Sequence, residues 1–457
     1  MIKNLIVILV AVVYTSSFCN AQNNLPEDVK LNIETRIKHE LTPGIVIGIL
    51  DAKGVTYYSF GVKSLTTKAP VDEHSVFEIG SVTKTFTGII LAEMVIKNEV
   101  TLEDPLQQYL PKGVTAPTRN GASIKLVNLS NHTSSLPSFP GNFTPTNPSN
   151  PFADYTEKQL YDFLSSYTLS RDIGSRYEYS NYAVGLLGHV LATTRGVSYE
   201  QLMINVIAKP LDLKNTRITL TPEMKQNLAL GYSGGVQVEN WDLPTLAGAG
   251  AIRSTAEDMM RYLQANMGLI KSDLYPAMQL SQKNTREAEA KPMVGLGWHI
   301  MTSGDQEIIW HNGGTGGYKT FIGFVKGENK AVVVLSNSTV SVDDIGARLL
   351  NPAVPLTVFK PYELAKSVPV DAAILEKYVG QYELAPGVIM TITRDERQLK
   401  AQITGQPAVP VFAKSETEFF YKVVDAQLTF TPSKEGTATE SVTLHQNGQN
   451  IPGKKIK

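Results

Sequence analysis

Residues 77–100 read FEIGSVTKTFTGIILAEMVIKNEV, and the reading of this stretch decides the rest. Phe77 to Ile79 form a short approach to Gly80. Beyond it, Phe86, Ile89, Ile90, Met94 and Val95 recur at helical spacing, which predicts a helix buried in a core. Ser81 and Lys84 stand at its start. Three residues apart, they project from one face, where the lysine amine reaches the serine hydroxyl and unpaired N–H groups favour negative charge on the serine oxygen. A helix-capping serine beside a solvated lysine is the ordinary reading of such a pair. Against it, no other lysine in the chain has a serine three residues before it, and this one lies on a helix that is otherwise apolar. A buried amine needs a reason.

The 457 residues include 42 Lys+Arg and 43 Asp+Glu. That balance makes no field to draw nucleic acid or an anionic membrane, and neither is expected as a partner. The length suffices for two domains. Residues 1–21 carry Lys3, an apolar run from Leu5 to Val13, and small or polar residues up to Ala21, which predicts a signal peptide cleaved before Gln22. An exported protein follows, periplasmic or secreted, without stable membrane insertion after cleavage. Cys19 is the single cysteine. Phe18 stands where a lipid anchor wants a small residue, so a lipoprotein is not expected. The mature chain then offers no disulfide, thiol nucleophile or cysteine-held metal. The seven histidines show no ligand spacing such as His-Glu-x-x-His, and neither a metal nor an organic cofactor is expected.

Val29, Ile33 and Ile37 mark an amphipathic helix, followed by strands over 45–50 and 55–60 joined by a turn at 51–54. After the Ser81 helix comes a mostly helical region, with helices near 158–166, 182–194 and 199–207 and a surface loop over 137–151. Ser254 to Glu257 fits a capping box opening a helix to Met267. Strands return at 297–301, 307–310, 320–325 and 331–335. Strands at both ends with helices between predict an α+β domain, an antiparallel sheet flanked by helices beside a mostly helical lobe, with a cleft between. This catalytic domain is placed at 22–357. Prolines punctuate a linker, 358–370, and seven short strands after it predict a small all-β barrel-like domain over 371–457.

A serine attacking a carbonyl needs a base, a pair of N–H groups for the oxyanion, and something to hold the substrate. Tyr179 and Asn181 lie two apart on a turn before a helix, in the sole Tyr-x-Asn among nineteen tyrosines. Residues 310–317, WHNGGTGG, put His311 at the head of a glycine-rich run between strands, where a ligand can approach a strand edge closely. Taken singly, these are a capped turn and a tight hairpin.

Together and in this order, Phe77 to Lys84, Tyr179-Ser180-Asn181 and His311-Asn312-Gly313 resemble the three-motif signature of the penicillin-recognising serine hydrolases. They look most like the class C β-lactamase family with its related DD-peptidases and esterases. Leu129 to Pro137 and Ala247 to Asp258 match as well, and the likeness spans Leu25 to Ser338. The C-terminal part resembles the lipocalin-like β-barrel appended to some members. The resemblance implies Ser81 as the acylated nucleophile, Lys84 as its proton-accepting neighbour and Tyr179 as a proton shuttle. It implies further that Asn181 orients Lys84 and holds the substrate amide, that Ser81 and Gly314 supply the oxyanion-hole N–H groups, and that His311, with Gly313, helps bind the substrate and its carboxylate.

Lysine and tyrosine start near ~10.4 and ~10, so either must give up about 4 kcal/mol of its hold on a proton to act as a base near neutrality. The residues leave open which of them does. Class C enzymes carry Lys-Thr-Gly where this chain has His311-Asn312-Gly313, which weakens the case for carboxylate binding. Thr83 and Ile173 are smaller departures. The expected activity is that of an exported serine hydrolase acting on β-lactams or D-Ala-ended peptidoglycan peptides. Small esters, or a sensor that is acylated without turnover, are the alternatives. A rival nucleophile is Ser233, because Gly231-Tyr232-Ser233-Gly234-Gly235 satisfies Gly-x-Ser-x-Gly, although its flanks form no convincing strand and helix.

Overall fold

The apolar runs at 44–51 and 331–336 carry almost no polar alternation, which fits strands buried on both faces. In the computed structural model, which describes residues 25–287, 289–395, 398–433 and 438–457, they are the second and third strands of a seven-stranded sheet. The predicted signal and Cys19 lie outside the described residues. From one edge the strands are Gly54–Gly61, Gly44–Asp51, Ala331–Ser336, Lys319–Val325, Gln306–Gly314, His299–Ser303 and Met293–Val294. Every pairing is antiparallel, and Ile45 opposite Ser336 through Leu50 opposite Ala331 joins the two ends of the domain.

The period-two alternation of a strand then sorts the side chains. Ile45, Ile47, Phe321, Val332 and Val334 pack with Val29 and Ile33 of the helix Glu27–Lys38 and with Ile345 and Leu350 of the helix Asp343–Leu350. Val46, Leu50, Ile322, Val333 and Leu335 face the opposite way, into a core shared with the helix Ala256–Asn266 and the helical lobe. That helix is capped one residue later than the sequence suggested. Thr255 accepts the Asp258 N–H at 3.1 Å, while Glu257 turns outward to His74 at 3.1 Å.

The helix Thr83–Ile96 runs between the lobes, and twelve of its fourteen residues are buried. A helix enclosed on every side, rather than along one stripe, is an interior helix. Gly88 permits this. A Cβ there would stand 1.9 Å from the Leu296 carbonyl oxygen.

The strand expected to end at Trp310 continues through His311 to Gly314, pairing with 319–325 as far as Gly314 opposite Lys319. Its other neighbour stops earlier, where His299 faces Trp310. The glycines here reflect close backbone approach rather than a turn, since a Cβ on Gly313 would lie 2.0 Å from the Ile79 carbonyl oxygen.

Between Leu350 and Ala372 the chain has neither helix nor strand, and after the short helix Ala372–Glu376 eight strands close into a barrel. Seven were predicted. The eighth, Gln449–Lys455, holds Pro452 and Gly453 and shows little hydrophobic alternation, yet it pairs with both Thr439–Gln446 and Gly380–Ala385 to close the ring. Tyr378, Tyr382, Phe419 and Phe430 pack together inside it, with Tyr378 stacked on Phe430 at 4.2 Å. The Gly-x-Ser-x-Gly run is a hairpin, Tyr232–Ser233 with Val236–Gln237, turning through Gly234 and Gly235 at φ +57° and +82°. Positive φ at both turn residues is the signature of a two-residue hairpin, and no strand-to-helix elbow is present. The turn lies against Pro410 and Phe412 of the barrel, and Lys422 donates to the His39 carbonyl at 3.1 Å.

In an exposed helix, Gly→Ala stabilises by about 1 kcal/mol. At Gly88 the sign should reverse, and Gly88→Ala is expected to lower unfolding stability by about 2–4 kcal/mol in urea titrations. A more stable variant would contradict this packing of the helix.

Candidate active site

Ser81 sits in a 3₁₀ turn, Gly80–Val82, leading into the buried helix. Gly80 has φ +50°, and a Cβ there would stand 2.7 Å from the Gly314 nitrogen. Only glycine lets the turn lie this close to the strand. The approach to it is pinned from several sides. Thr320 Oγ1 donates to the Ile79 carbonyl at 3.0 Å, and the Ile79 N–H donates to Ile252 at 3.0 Å. Glu78, buried, pairs with Arg253 at 3.2 Å and accepts from Asn240 and the Trp241 N–H at 2.9 Å each.

Lys84 is fully buried. Its Nζ lies 2.9 Å from Ser81 Oγ, 2.8 Å from Asn181 Oδ1 and 2.7 Å from the Ala249 carbonyl oxygen. Burial pushes its pKa well below the ordinary lysine value. A neutral amine has two N–H donors and one lone pair. With Asn181 Oδ1 and the Ala249 carbonyl as acceptors, the lone pair is left for the Ser81 hydroxyl. Asn181 opens the helix Asn181–Thr194, whose start is fixed by Ser180 accepting the Ala183 N–H at 2.9 Å.

Tyr179 faces the same place, its ring centroid 4.9 Å from Lys84 Nζ. A charged lysine would pull the tyrosine pKa down. Burial instead raises it well above the usual value, with the nearby Ser81 side chain offsetting only part. The two groups are driven in opposite directions.

Three histidines that looked scattered in the sequence meet around this tyrosine. His132, at φ +63°, accepts the Ser180 N–H at 3.1 Å through Nδ1, and its ring lies 4.4 Å from Tyr179. His299 lies 4.8 Å from His311, which is 6.4 Å from Tyr179. Burial, first among the causes, lowers all three, His299 to about 4. His132 stands inside LSNHTSSLP, but nothing in its spacing announces contact with Tyr179, and His299 carries no motif. Among the described residues no group of three or more His, Cys, Asp or Glu side chains is arranged to hold a metal ion.

His311 Nδ1 is 2.5 Å from the Asn312 carbonyl oxygen, so that nitrogen carries the proton. Nε2 is then an acceptor, buried and without a partner among the described residues. Such a ring has no positive charge for a carboxylate. The approach of Gly80 to Gly314 sets the amides of Ser81 and Gly314 on adjoining backbone segments. Ser81, Lys84, Tyr179, Asn181, His311, Gly313 and Gly314 thus converge on one place. Ser233 stands on the hairpin that touches the barrel, with no histidine or carboxylate partner among the described residues.

A beta-lactamase family model matches residues 30–353, and a domain of unknown function, DUF3471, matches 364–455. Penicillin-binding protein 4* of Bacillus subtilis (strain 168) is 28% identical over 461 residues, which cover 92% of this chain and 96% of that protein. The D-alanyl-D-alanine-carboxypeptidase/endopeptidase AmpH of Escherichia coli (strain K12) is 31% identical over 312 residues, covering 65% of this chain and 80% of that protein. Among solved structures, the beta-lactamase/D-alanine carboxypeptidase from Yersinia pestis complexed with citrate superposes with a TM-score of 0.61 at 26% identity, over 72% of this chain and 96% of that one.

A lysine whose folded pKa lies below its unfolded value of ~10.4 leaves the unfolded state with one more bound proton between the two, so stability rises with pH there by about 1.4 kcal/mol per pH unit. Lys84→Met lacks this contribution. Unfolding titrations from pH 7 to 10 should therefore show the wild type gaining on Lys84→Met as pH rises. Parallel pH profiles would mean that the amine is charged in the folded protein.

Proposed function

The chain belongs to the beta-lactamase family, and on that premise we propose that it is an exported serine hydrolase acting through an acyl-enzyme on Ser81. Its substrates on this reading are D-Ala-ended peptides and β-lactams. The observation that carries it is the fully buried Lys84 amine 2.9 Å from Ser81 Oγ, held there by Asn181 and the Ala249 carbonyl. Names borne by the relatives, a penicillin-binding protein and a D-alanyl-D-alanine carboxypeptidase/endopeptidase, support the same substrate class.

The chemistry follows from the two opposed pKa directions. Groups pushed apart by their surroundings divide the acid and base work between them. Neutral Lys84 takes the Ser81 proton as Oγ attacks the carbonyl carbon, and the oxyanion is received by the N–H groups of Ser81 and Gly314. Tyr179, kept protonated by burial, gives its proton to the leaving nitrogen or oxygen and is reprotonated from Lys84. Water then enters the place of the leaving group. It is deprotonated by the same pair, attacks the ester carbon, and returns Ser81 as the leaving hydroxyl.

A second reading, hydrolysis of small esters without a carboxylate, is favoured by the uncharged His311. The test is a time course of the mature protein on nitrocefin, a D-Ala-D-Ala peptide and p-nitrophenyl acetate. Turnover is expected with the first two, falling at least about 1,000-fold in Ser81→Ala. Turnover of the acetate alone would support the ester reading. Undiminished activity in Ser81→Ala would overturn both.

A further inference from the structure

The turn that carries the chain from Gly314 to Lys319 is held from outside itself. The Tyr232 N–H donates to the Gly317 carbonyl at 3.2 Å, the Tyr318 hydroxyl donates to the Ala229 carbonyl at 2.6 Å, and Asn240 donates to that hydroxyl at 3.0 Å. Two glycines of the turn have no room for a side chain. A Cβ on Gly316 would stand 2.6 Å from Trp241 Nε1, and one on Gly317 would stand 2.7 Å from the Gly231 Cα and from Val238 Cγ2. All of these partners belong to residues 229–241, the segment whose middle is the hairpin Tyr232–Ser233 with Val236–Gln237.

The far end of that hairpin is where the barrel arrives. Gly234 and Gly235, both at positive φ, give the turn little stiffness of its own. A Cβ on Gly234 would stand 3.2 Å from Pro410 Cγ, and one on Gly235 would stand 3.6 Å from Phe412 Cε1. Along the barrel strand Val409–Ala413, Val411 and Ala413 belong to the barrel core, so Pro410 and Phe412 share its outer face. The Phe412 ring lies 4.8 Å from Lys422 Nζ, and Lys422, itself buried, donates to the His39 carbonyl at the end of the helix Glu27–Lys38. A cation is favoured at that carbonyl end. The barrel is thus seated on a helix end and on the hairpin turn.

We propose that the C-terminal barrel braces the oxyanion hole: held against the hairpin through Pro410 and Phe412, it fixes the 315–318 turn and with it the Gly314 amide. This rests on the serine-hydrolase reading above. Phe412 acts through the hairpin and is a positioning residue. An oxyanion donor is effective only when it is fixed where the charge will develop, so loosening the turn costs transition-state stabilisation and spares substrate binding. The same hole serves acylation and deacylation. Both steps slow together, which leaves KM unchanged while kcat falls.

The test compares the full-length wild type with Phe412→Ala, using whichever of nitrocefin and p-nitrophenyl acetate the wild type turns over, and phenylboronic acid as inhibitor. Addition of Ser81 Oγ to boron gives a tetrahedral adduct with a boron hydroxyl where the oxyanion would stand, the serine proton passing to Lys84. Phe412→Ala should lower kcat about tenfold at unchanged KM and weaken the boronate by the same factor. Phe412→Leu, which keeps an apolar body against the turn, should restore both. Lys422→Met loosens the same face at the helix end and should show the same split to a smaller degree. Unchanged kcat and boronate affinity in both Phe412→Ala and Lys422→Met, or a loss that falls on KM, would overturn the brace while leaving the hydrolase reading intact. A wild type that turns over neither substrate and does not bind the boronate would overturn that reading, and the brace with it.

Discussion

The arrangement depends on keeping one amine out of water. Lys84 lies on a helix buried from Thr83 through Met94, between the sheet and the helical lobe, and its three neighbours come from three separate segments. An ammonium taken from water loses solvation that those neighbours do not fully replace, so the proton leaves. The same enclosure raises Tyr179 and neutralises His132, His299 and His311. One physical cause, burial, therefore weakens the lysine's hold on its proton, leaving its lone pair free, and strengthens the phenol's hold on its own. Solvating the helix start would undo both at once.

Close backbone contact is how the enclosure is reached. Gly88 lets the helix meet the Leu296 carbonyl, and Gly297, at φ +75°, lies where a Cβ would stand 2.2 Å from the Lys84 carbonyl oxygen. Gly80 and Gly313 do the same between the Ser81 turn and the strand that ends at Gly314. These glycines are packing features of the site, since a side chain on Gly80 or Gly313 would part the turn carrying Ser81 from the strand that ends at Gly314. The third-motif histidine fits this interior as a neutral ring. A lysine in its place would be a second amine in the same enclosure.

What was legible in the sequence was local. Ser81 with Lys84, Tyr179 with Asn181 and His311 with its glycines each show within a few residues, and the sheet's central strands show as unbroken apolar runs. What was not legible arises from contacts between distant segments. His132 and His299 lack any spacing that ties them to Tyr179 and His311. Glycines after His311 suggest a loop locally, while the partner strand holds them extended. The last barrel strand, with Pro452 and Gly453, is made a strand by closure of the ring rather than by propensity. Thr255 displaces Ser254 as the cap because Ser254 lies instead in a short pairing with Phe77, within the backbone that holds the nucleophile turn.

The most direct measurement of the central claim is the covalent intermediate itself. Protein mixed with p-nitrophenyl acetate, quenched in acid within the first turnovers and digested, should yield one acetyl group on the peptide containing Ser81, absent when the sample is quenched after substrate is exhausted. Acetylation at Ser233, or turnover that leaves the Ser81 peptide unmodified at every quench time, would contradict the account.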